Sequence, residues 1–262
     1  MSGKHESQRL RHTLALRQLQ VLGVSRLTPR MVRIVLGGDE LKGFYSPSPD
    51  DHVKLFFPRP GDKVPVLPSL GEQGLVLAEG VEPSPMRDYT PRKYDVDRNE
   101  LTVDFVIHDE GPASTWAEQA APGQYLGVGG PRGSLLIAED FDTYVMVGDE
   151  TALPAIGRWL EELPEAARAE VIVEVADRGE RQALTSRAHF NVTWISRDDV
   201  VEALETALRQ LPEPPGDTFY WVATESRRAR ELRRYLVEER GIDKAWVKAT
   251  GYWKADPNDP ED

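Results

Sequence analysis

The sequence predicts two domains of different class: an antiparallel β-barrel, then an α/β domain built on a mostly parallel, Rossmann-like sheet. Three observations predict this. The chain has 262 residues, enough for one or two domains. Nine of its 20 prolines fall between Pro47 and Pro91, and proline removes an amide donor and fixes φ, so that stretch cannot be helical. After about residue 138, short apolar runs alternate with helical periodicity, the signature of β-α-β units. The boundary is accordingly expected between residues 1–138 and 139–262.

The elements follow in order. Met1 to Arg17 is polar and charged, without the apolar core of a secretory signal. Val32–Leu36, His52–Phe57, Leu101–Ile107 and Tyr125–Val128 alternate apolar and polar residues as half-buried strands do. One helix interrupts them near Ala113 to Ala121. Gly129 to Ser134 reads as a tight turn closing the barrel. In the second domain Tyr144–Val147 is a buried strand, and Thr151–Leu163 a helix with Thr151 as N-cap and Pro154 in its first turn. Val171–Val175 and Val192–Ile195 are strands, followed by a helix from about Asp199 to Leu211. Phe219–Ala223 is a strand, and Ser226–Glu239 a helix whose Ala229, Leu232 and Leu236 form an apolar stripe. Ala245–Lys248 is the last strand. The acidic tail, Ala255–Asp262, is expected to fray.

Composition removes several functions. A net charge of −12 suits neither nucleic-acid coating nor an acidic protein carrier. With no cysteine there is no disulfide, CxxC pair or thiolate-held metal or iron–sulfur cluster. Five histidines without an H-E-x-x-H motif leave no dedicated metal site. No run is long and apolar enough to span a bilayer. The expectation is a monomer of the cytoplasm, and any electron transfer must use an organic cofactor.

Three segments carry candidate chemistry. In Arg87-Asp88-Tyr89-Thr90 an extended strand puts Arg87 and Tyr89 on one face; they suit a phosphate and a flat ring, or else a charged barrel edge with a core tyrosine. Gly111-Pro112-Ala113-Ser114 opens a helix whose free amides suit a pyrophosphate, with the Ser114 hydroxyl as a further donor; a plain strand-to-helix turn fits equally. Gly148 to Pro154 follows the first α/β strand, where nucleotides bind. Asp149 and Glu150 would repel phosphates there, so they must point elsewhere or meet ribose and amide groups. His108 borders the Gly111 turn. Arg178 and Arg181 follow the second α/β strand, where an adenosine 2′-phosphate would sit. Arg227, Arg228, Arg230, Arg233 and Arg234 read as a solvated helix face balanced by Glu225, Glu231, Glu238 and Glu239.

R-x-Y-T on a strand, then G-P-A-S opening a helix, then an α/β domain, resembles the ferredoxin-reductase-like flavoproteins. More narrowly the chain resembles the siderophore-interacting protein family, FAD-dependent ferric-siderophore reductases. His52-Val53-Lys54-Leu55, Arg87 to Thr90, His108 to Ala117, Gly148 to Ile156 and Gly251-Tyr252-Trp253-Lys254 carry that resemblance. It implies that Arg87, Tyr89 and Thr90 bind FAD, with Tyr89 and Thr90 at the reacting ring, and that Gly111, Ala113 and Ser114 cradle its phosphates beside His108. Asp149, Glu150, Thr151 and Ala152 would border NADPH or NADH, with Arg178 and Arg181 favouring NADPH. Lys54, Lys248 and Lys254 would face an anionic ferric siderophore. The chain ends soon after Trp253, which points to the shorter, NADPH-using subgroup. The implied reaction passes a hydride from the nicotinamide to the flavin and then single electrons to Fe(III), whose reduction loosens the chelate. A flavin reductase with a protein acceptor, or a non-enzymatic ferric-chelate binder, are the rival readings.

Overall fold

The computed structural model describes residues 4–71, 74–108, 111–198 and 204–256. The chain divides into two compact units, Ser7–Ile137 on one hand and Met1–Glu6 with Ala138–Asp262 on the other.

The first unit contains β1 (Gln8–Arg11), β2 (Leu16–Thr28), β3 (Met31–Gly37), β4 (Val53–Phe56), β5 (Ser69–Gly71), β6 (Gly74–Val76), β7 (Met86–Tyr89), β8 (Lys93–Asp95), β9 (Glu100–Val106), α1 (Pro112–Glu118), β10 (Tyr125–Gly129) and β11 (Gly133–Leu136). Seven strands form one sheet in the order β7-β4-β10-β2-β3-β9-β8, every neighbour antiparallel. Leu19 and Val21 of β2, Ile34 and Leu36 of β3, Val53 and Leu55 of β4, Leu101 and Val103 of β9, and Leu126 and Val128 of β10 share one core. Trp116 of α1 belongs to it, and Tyr89 and Tyr94 from the two edge strands pack against it. The sheet therefore curls around a single apolar centre, but β7 and β8 remain its edges. The expected closed barrel is a curled open sheet. Gly133 and Ser134 pair with β1, so only Gly130–Arg132 remain of the turn expected at 129–134.

The second unit contains β12 (Thr143–Asp149), α2 (Leu153–Glu162), β13 (Arg168–Val175), β14 (His189–Ser196), α3 (Leu204–Gln210), β15 (Thr218–Glu225), α4 (Ser226–Arg234) and β16 (Val247–Trp253). Its five strands are parallel, in the order β14-β13-β12-β15-β16. Ala229, Leu232 and Leu236 are at most 2% exposed and pack with Val145, Val147 and Val222 on one face of the sheet. Beyond α4 the helix widens into a π turn, Tyr235–Glu239.

Two boundaries differ from expectation. Thr151 does not cap α2; Ala152 precedes that helix with no side-chain cap, because the Thr151 hydroxyl donates back to Asp149. Residues 244–246 form a 3₁₀ turn, and β16 runs from Val247 to Trp253, so the last strand starts two residues later than expected and continues five residues past Lys248. Of the helix expected over 199–211, the first five residues lie outside the described residues, as does most of the tail expected to fray.

The N-terminal segment is docked onto the second unit. His5 is almost wholly buried, its Nδ1 2.8 Å from Asp140 Oδ1 and its Nε2 2.9 Å from Asp217 Oδ2. Its ring stacks on Phe141 at 4.0 Å.

Candidate functional site

The edge strand β7 holds the first group. Arg87 pairs with Leu55 and Tyr89 with Val53 across the ladder, and directly opposed residues share a face. Val53 and Leu55 are fully buried, so Arg87 and Tyr89 stand on the core side of the sheet. Yet Arg87 is exposed and Tyr89 only half-buried: the core is uncovered at this edge. The Tyr89 ring rests on Phe105 at 4.4 Å, and burial raises its phenol pKa well above the ordinary value. It is thus a neutral aromatic surface held by packing. The Arg87 guanidinium makes one local bond, Nη1 to Met86 O at 2.7 Å. Thr90 follows the strand and is buried at 6% exposure.

Gly111 opens α1 at φ 128°, in the region that favours glycine. A Cβ there would also lie 3.3 Å from His108 Cε1. No side chain caps the helix, and its first turn closes from Thr115 N to Gly111 O at 3.0 Å, which leaves the amides of Ala113 and Ser114 without intrahelical acceptors. The Ser114 hydroxyl corrects the sequence reading. It accepts from His108 N at 2.8 Å and donates to His108 O at 2.6 Å. Its proton is committed to tying strand to helix, so Ser114 can offer a phosphate its main-chain N–H and not the hydroxyl.

At the end of β12, Gly148 lets α2 sit close: a Cβ would collide with Ala152 Cβ and lie 2.6 Å from Ala223 O. Asp149, 2% exposed, accepts from Thr151 N at 2.9 Å, from the Thr151 hydroxyl, from Thr224 Oγ1 at 2.8 Å and from Trp253 Nε1 at 2.9 Å. Glu150 is ion-paired with Arg197. Neither carboxylate is left unpartnered: Asp149 is turned inward onto neutral donors and Glu150 onto a guanidinium.

Arg197 also reaches Glu174 at 3.2 Å, and Glu174 is clamped by both terminal nitrogens of Arg228 at 2.9 Å. Arg228 further binds Glu205 at 2.8 Å. Burial opposes charge on Glu174, but Arg228 and Arg197 outweigh it and hold its pKa below the ordinary value. Arg228 is therefore a half-buried strut, not part of a solvated face, and Glu239 pairs with Arg209 rather than with its own helix. Sequence reasoning missed this network because its five members come from β13, α3, α4 and two loops.

Arg178 lies in a 3₁₀ turn after β13 and is exposed; Arg181 follows it and donates to Ser196 Oγ at 3.2 Å. Of the three lysines, Lys54 is bound to Asp88 at 2.9 and 3.1 Å, so its charge is locally compensated. Lys248 and Lys254 are half-buried.

Comparison with known proteins decides the family. Residues 20–135 match the siderophore-interacting FAD-binding domain, and residues 141–256 match the siderophore-interacting protein model. The chain belongs to the siderophore-interacting protein family. Among its relatives is the NADPH-dependent ferric-chelate reductase of Escherichia coli, 43% identical over 95% of this chain and 96% of that protein. Another is the ferric vibriobactin reductase of Vibrio cholerae, 34% identical over 89% of this chain and 87% of its own length. A family structure, the siderophore utilization protein from T. fusca, superposes with a TM-score of 0.87 at 38% identity, covering 98% of this chain and 99% of that one. The two-domain fold is the ferredoxin-reductase-like one, shared with a ferredoxin NADP+ reductase from Neisseria gonorrhoeae at a TM-score of 0.63 and 13% identity.

Proposed function

We propose that this family member is an FAD-dependent oxidoreductase that takes electrons from NADPH and reduces Fe(III) held by a siderophore. The observation that carries the reading is the match of both halves of the chain to siderophore-interacting models, with an NADPH-dependent ferric-chelate reductase 43% identical along nearly the whole length.

The residues of the first unit fit FAD. An exposed guanidinium and a half-open neutral aromatic face share one side of β7, and an uncapped helix start lies after Gly111. Arg87 would pair with the diphosphate, Tyr89 would support the flat ring, and buried Thr90 would fix the ring edge. Ala113 and Ser114 would donate main-chain N–H groups, with Gly111 and His108 shaping the turn. The bound flavin would supply the exchange between two-electron and one-electron chemistry that protein side chains lack.

In the second unit Thr151 and Ala152 would border the pyridine nucleotide, with Asp149 and Glu150 holding the strand end in shape through their own partners. Arg178 and Arg181 would favour the 2′-phosphate of NADPH. Lys248 and Lys254 are assigned to the anionic chelate. Lys54 is a weaker member, because Asp88 offsets its charge. The protein needs no iron ligand of its own, since the chelate brings the metal. The acidic balance of −12 supports a small-molecule substrate rather than nucleic acid, and we take the protein to be a cytoplasmic monomer. No helix among the described residues is long and apolar enough to cross a membrane.

The test is anaerobic. Purified protein should carry flavin absorbance, bleach with NADPH, and recover colour on adding a ferric siderophore while a chromogenic Fe(II) chelator reports product. Colourless protein that still binds ferric chelates would favour a plain binder. Bleached protein that reduces no chelate would favour a protein acceptor.

A further inference from the structure

Side chains of β4 alternate between the two faces of the first sheet. Val53 and Leu55 enter the core, while His52, Lys54 and Phe56 stand on the other face. There, with Leu16 of β2 and Leu75 of β6, they line an open hollow of about 340 Å³. Gly129 of β10 forms part of its floor, where a Cβ would be squeezed to 3.1 Å from Leu16 Cδ2 and 3.2 Å from Phe56 Cε2. The hollow is basic. Lys54 is offset by Asp88, but Arg132, exposed and without an ion pair among the described residues, restores the positive charge. No carboxylate lines it. His52 is exposed, and its imidazole has no hydrogen-bond partner among the described residues. Its neighbour in the chain, Asp51, is buried and turned to Ser46, Ser48 and Ser134, so it does not claim the His52 proton. β4 adjoins the edge strand β7, so a chelate at the hollow lies one strand from the residues assigned to FAD.

We propose that His52 is the proton donor for iron release, giving its imidazolium proton to a phenolate oxygen of the ferric chelate as the metal is reduced. The inference rests on the ferric-chelate reductase reading above. Fe(III) takes one electron, drawn from NADPH through the flavin, and becomes Fe(II). The Fe–O bond then breaks, its electron pair stays on oxygen, and that oxygen takes the proton from His52. Solvent recharges the neutral imidazole. Reduction alone weakens the hold of hard oxygen ligands. A phenolate, basic like tyrosinate at pKa ~10, must also be protonated to leave at neutral pH, whereas a carboxylate, at ~4, leaves without a proton. Lysine and arginine stay charged and hold the anion. Histidine is the side chain whose ordinary charge change falls near neutrality, so it can give a proton and regain it.

The full flavin-loaded chain, reduced with NADPH, is given ferric catecholate or ferric EDTA, and a chromogenic Fe(II) chelator reports product. Both are anions, but only the first has phenolate oxygens. His52→Gln should slow the catecholate about tenfold or more, the scale of general acid catalysis, and EDTA by less than about twofold. The wild-type advantage on catecholate should shrink as pH rises and His52 loses its proton. Affinity for redox-inert Ga(III) catecholate, measured calorimetrically, should stay within about threefold of wild type. Equal slowing of both ferric chelates, or a loss of Ga(III)-chelate affinity that matches the loss of rate, overturns the inference by making His52 a mere anion contact. If the glutamine variant loses its flavin, His52→Ala replaces it, and added imidazole should restore the catecholate rate; no restoration overturns the inference. Wild type that reduces neither chelate overturns the reductase reading beneath, and this inference with it.

Discussion

The two units present their candidate residues in opposite ways. On β7 the residues assigned to FAD are held loosely: among the described residues the Arg87 guanidinium bonds only to the carbonyl of Met86, and Tyr89, packed on Phe105, is only partly covered. At the parallel strand ends the candidates are locked to one another, with Asp149 joining β12, β15 and β16 in one set of hydrogen bonds. An edge of an antiparallel sheet can offer side chains to a ligand without being built from them. A parallel sheet converges its strand ends, so polar groups there must first satisfy each other. Substitutions should therefore cost binding in the first unit and stability in the second.

The largest effect is expected at Asp149. Asp149→Ala strands the Thr224 hydroxyl and the Trp253 indole N–H in the interior, and should destabilise the second unit by about 3 kcal/mol or more. Urea unfolding followed by tryptophan fluorescence measures this; a loss below about 1 kcal/mol would erase the contrast between the units. Next is Arg87→Ala, which should leave stability within about 0.5 kcal/mol but reduce FAD affinity tenfold to a hundredfold, about 1.5–3 kcal/mol. Flavin retained through gel filtration, read from the visible spectrum, is the check, and full retention by a folded variant contradicts the assignment. Smaller again is the joint change Arg178→Ala with Arg181→Ala. It should narrow the NADPH-over-NADH preference about fivefold in stopped-flow flavin reduction; an unchanged ratio places the 2′-phosphate elsewhere.

The smallest effect depends on pH. Burial opposes charge on His5, but hydrogen bonds to Asp217 and Asp140 outweigh it, and the pKa lies above the ordinary 6.5. A raised folded-state pKa means that the contribution is complete below 6.5 and fades as pH rises through the folded value. Lys4, paired with Asp217, and Asp142 complete the charges around it. Glu174 has the opposite sign, its lowered pKa giving stability that disappears in acid. His5→Ala should thus lower Tm more at pH 6 than at pH 9. A loss equal at both pH values would reduce His5 to a stacking partner for Phe141.

The texture of the sequence changes near residue 138, and the three central strands of the parallel sheet were legible because their apolar runs mark strands buried on both faces; the edge strands β14 and β16, half-exposed, were caught only in part. The sequence showed much less of β2. Leu19 and Val21 alternate inward as a strand should, but Leu22, Val24 and Leu27 are exposed and register shifts interrupt the pairing with β3, so no steady period of two remains. Among site residues, R-x-Y-T and G-P-A-S were visible as local words. What Ser114 does with its hydroxyl was not, since its partner is the backbone of His108. Nor could a linear reading join Glu174 to Arg228, 54 residues apart, or find that Trp253 serves Asp149 across 104. The residue types were legible; which charges neutralise one another depends on strand order.

Because residues 4–6 fold with the second unit, that unit is not a continuous stretch of chain. The first unit can be cut out as one segment, whereas a fragment starting at Ala138 would lack a buried ring. Asp140 and Asp217 would lose the imidazole between them, and Phe141, 3% exposed in the intact chain, would lose its stacked neighbour and face water. Dissecting this protein at the apparent boundary would yield a piece with a new sticky, acidic scar, whose aggregation would say nothing about the fold it came from. Supplying the first six residues as a separate peptide should mend it.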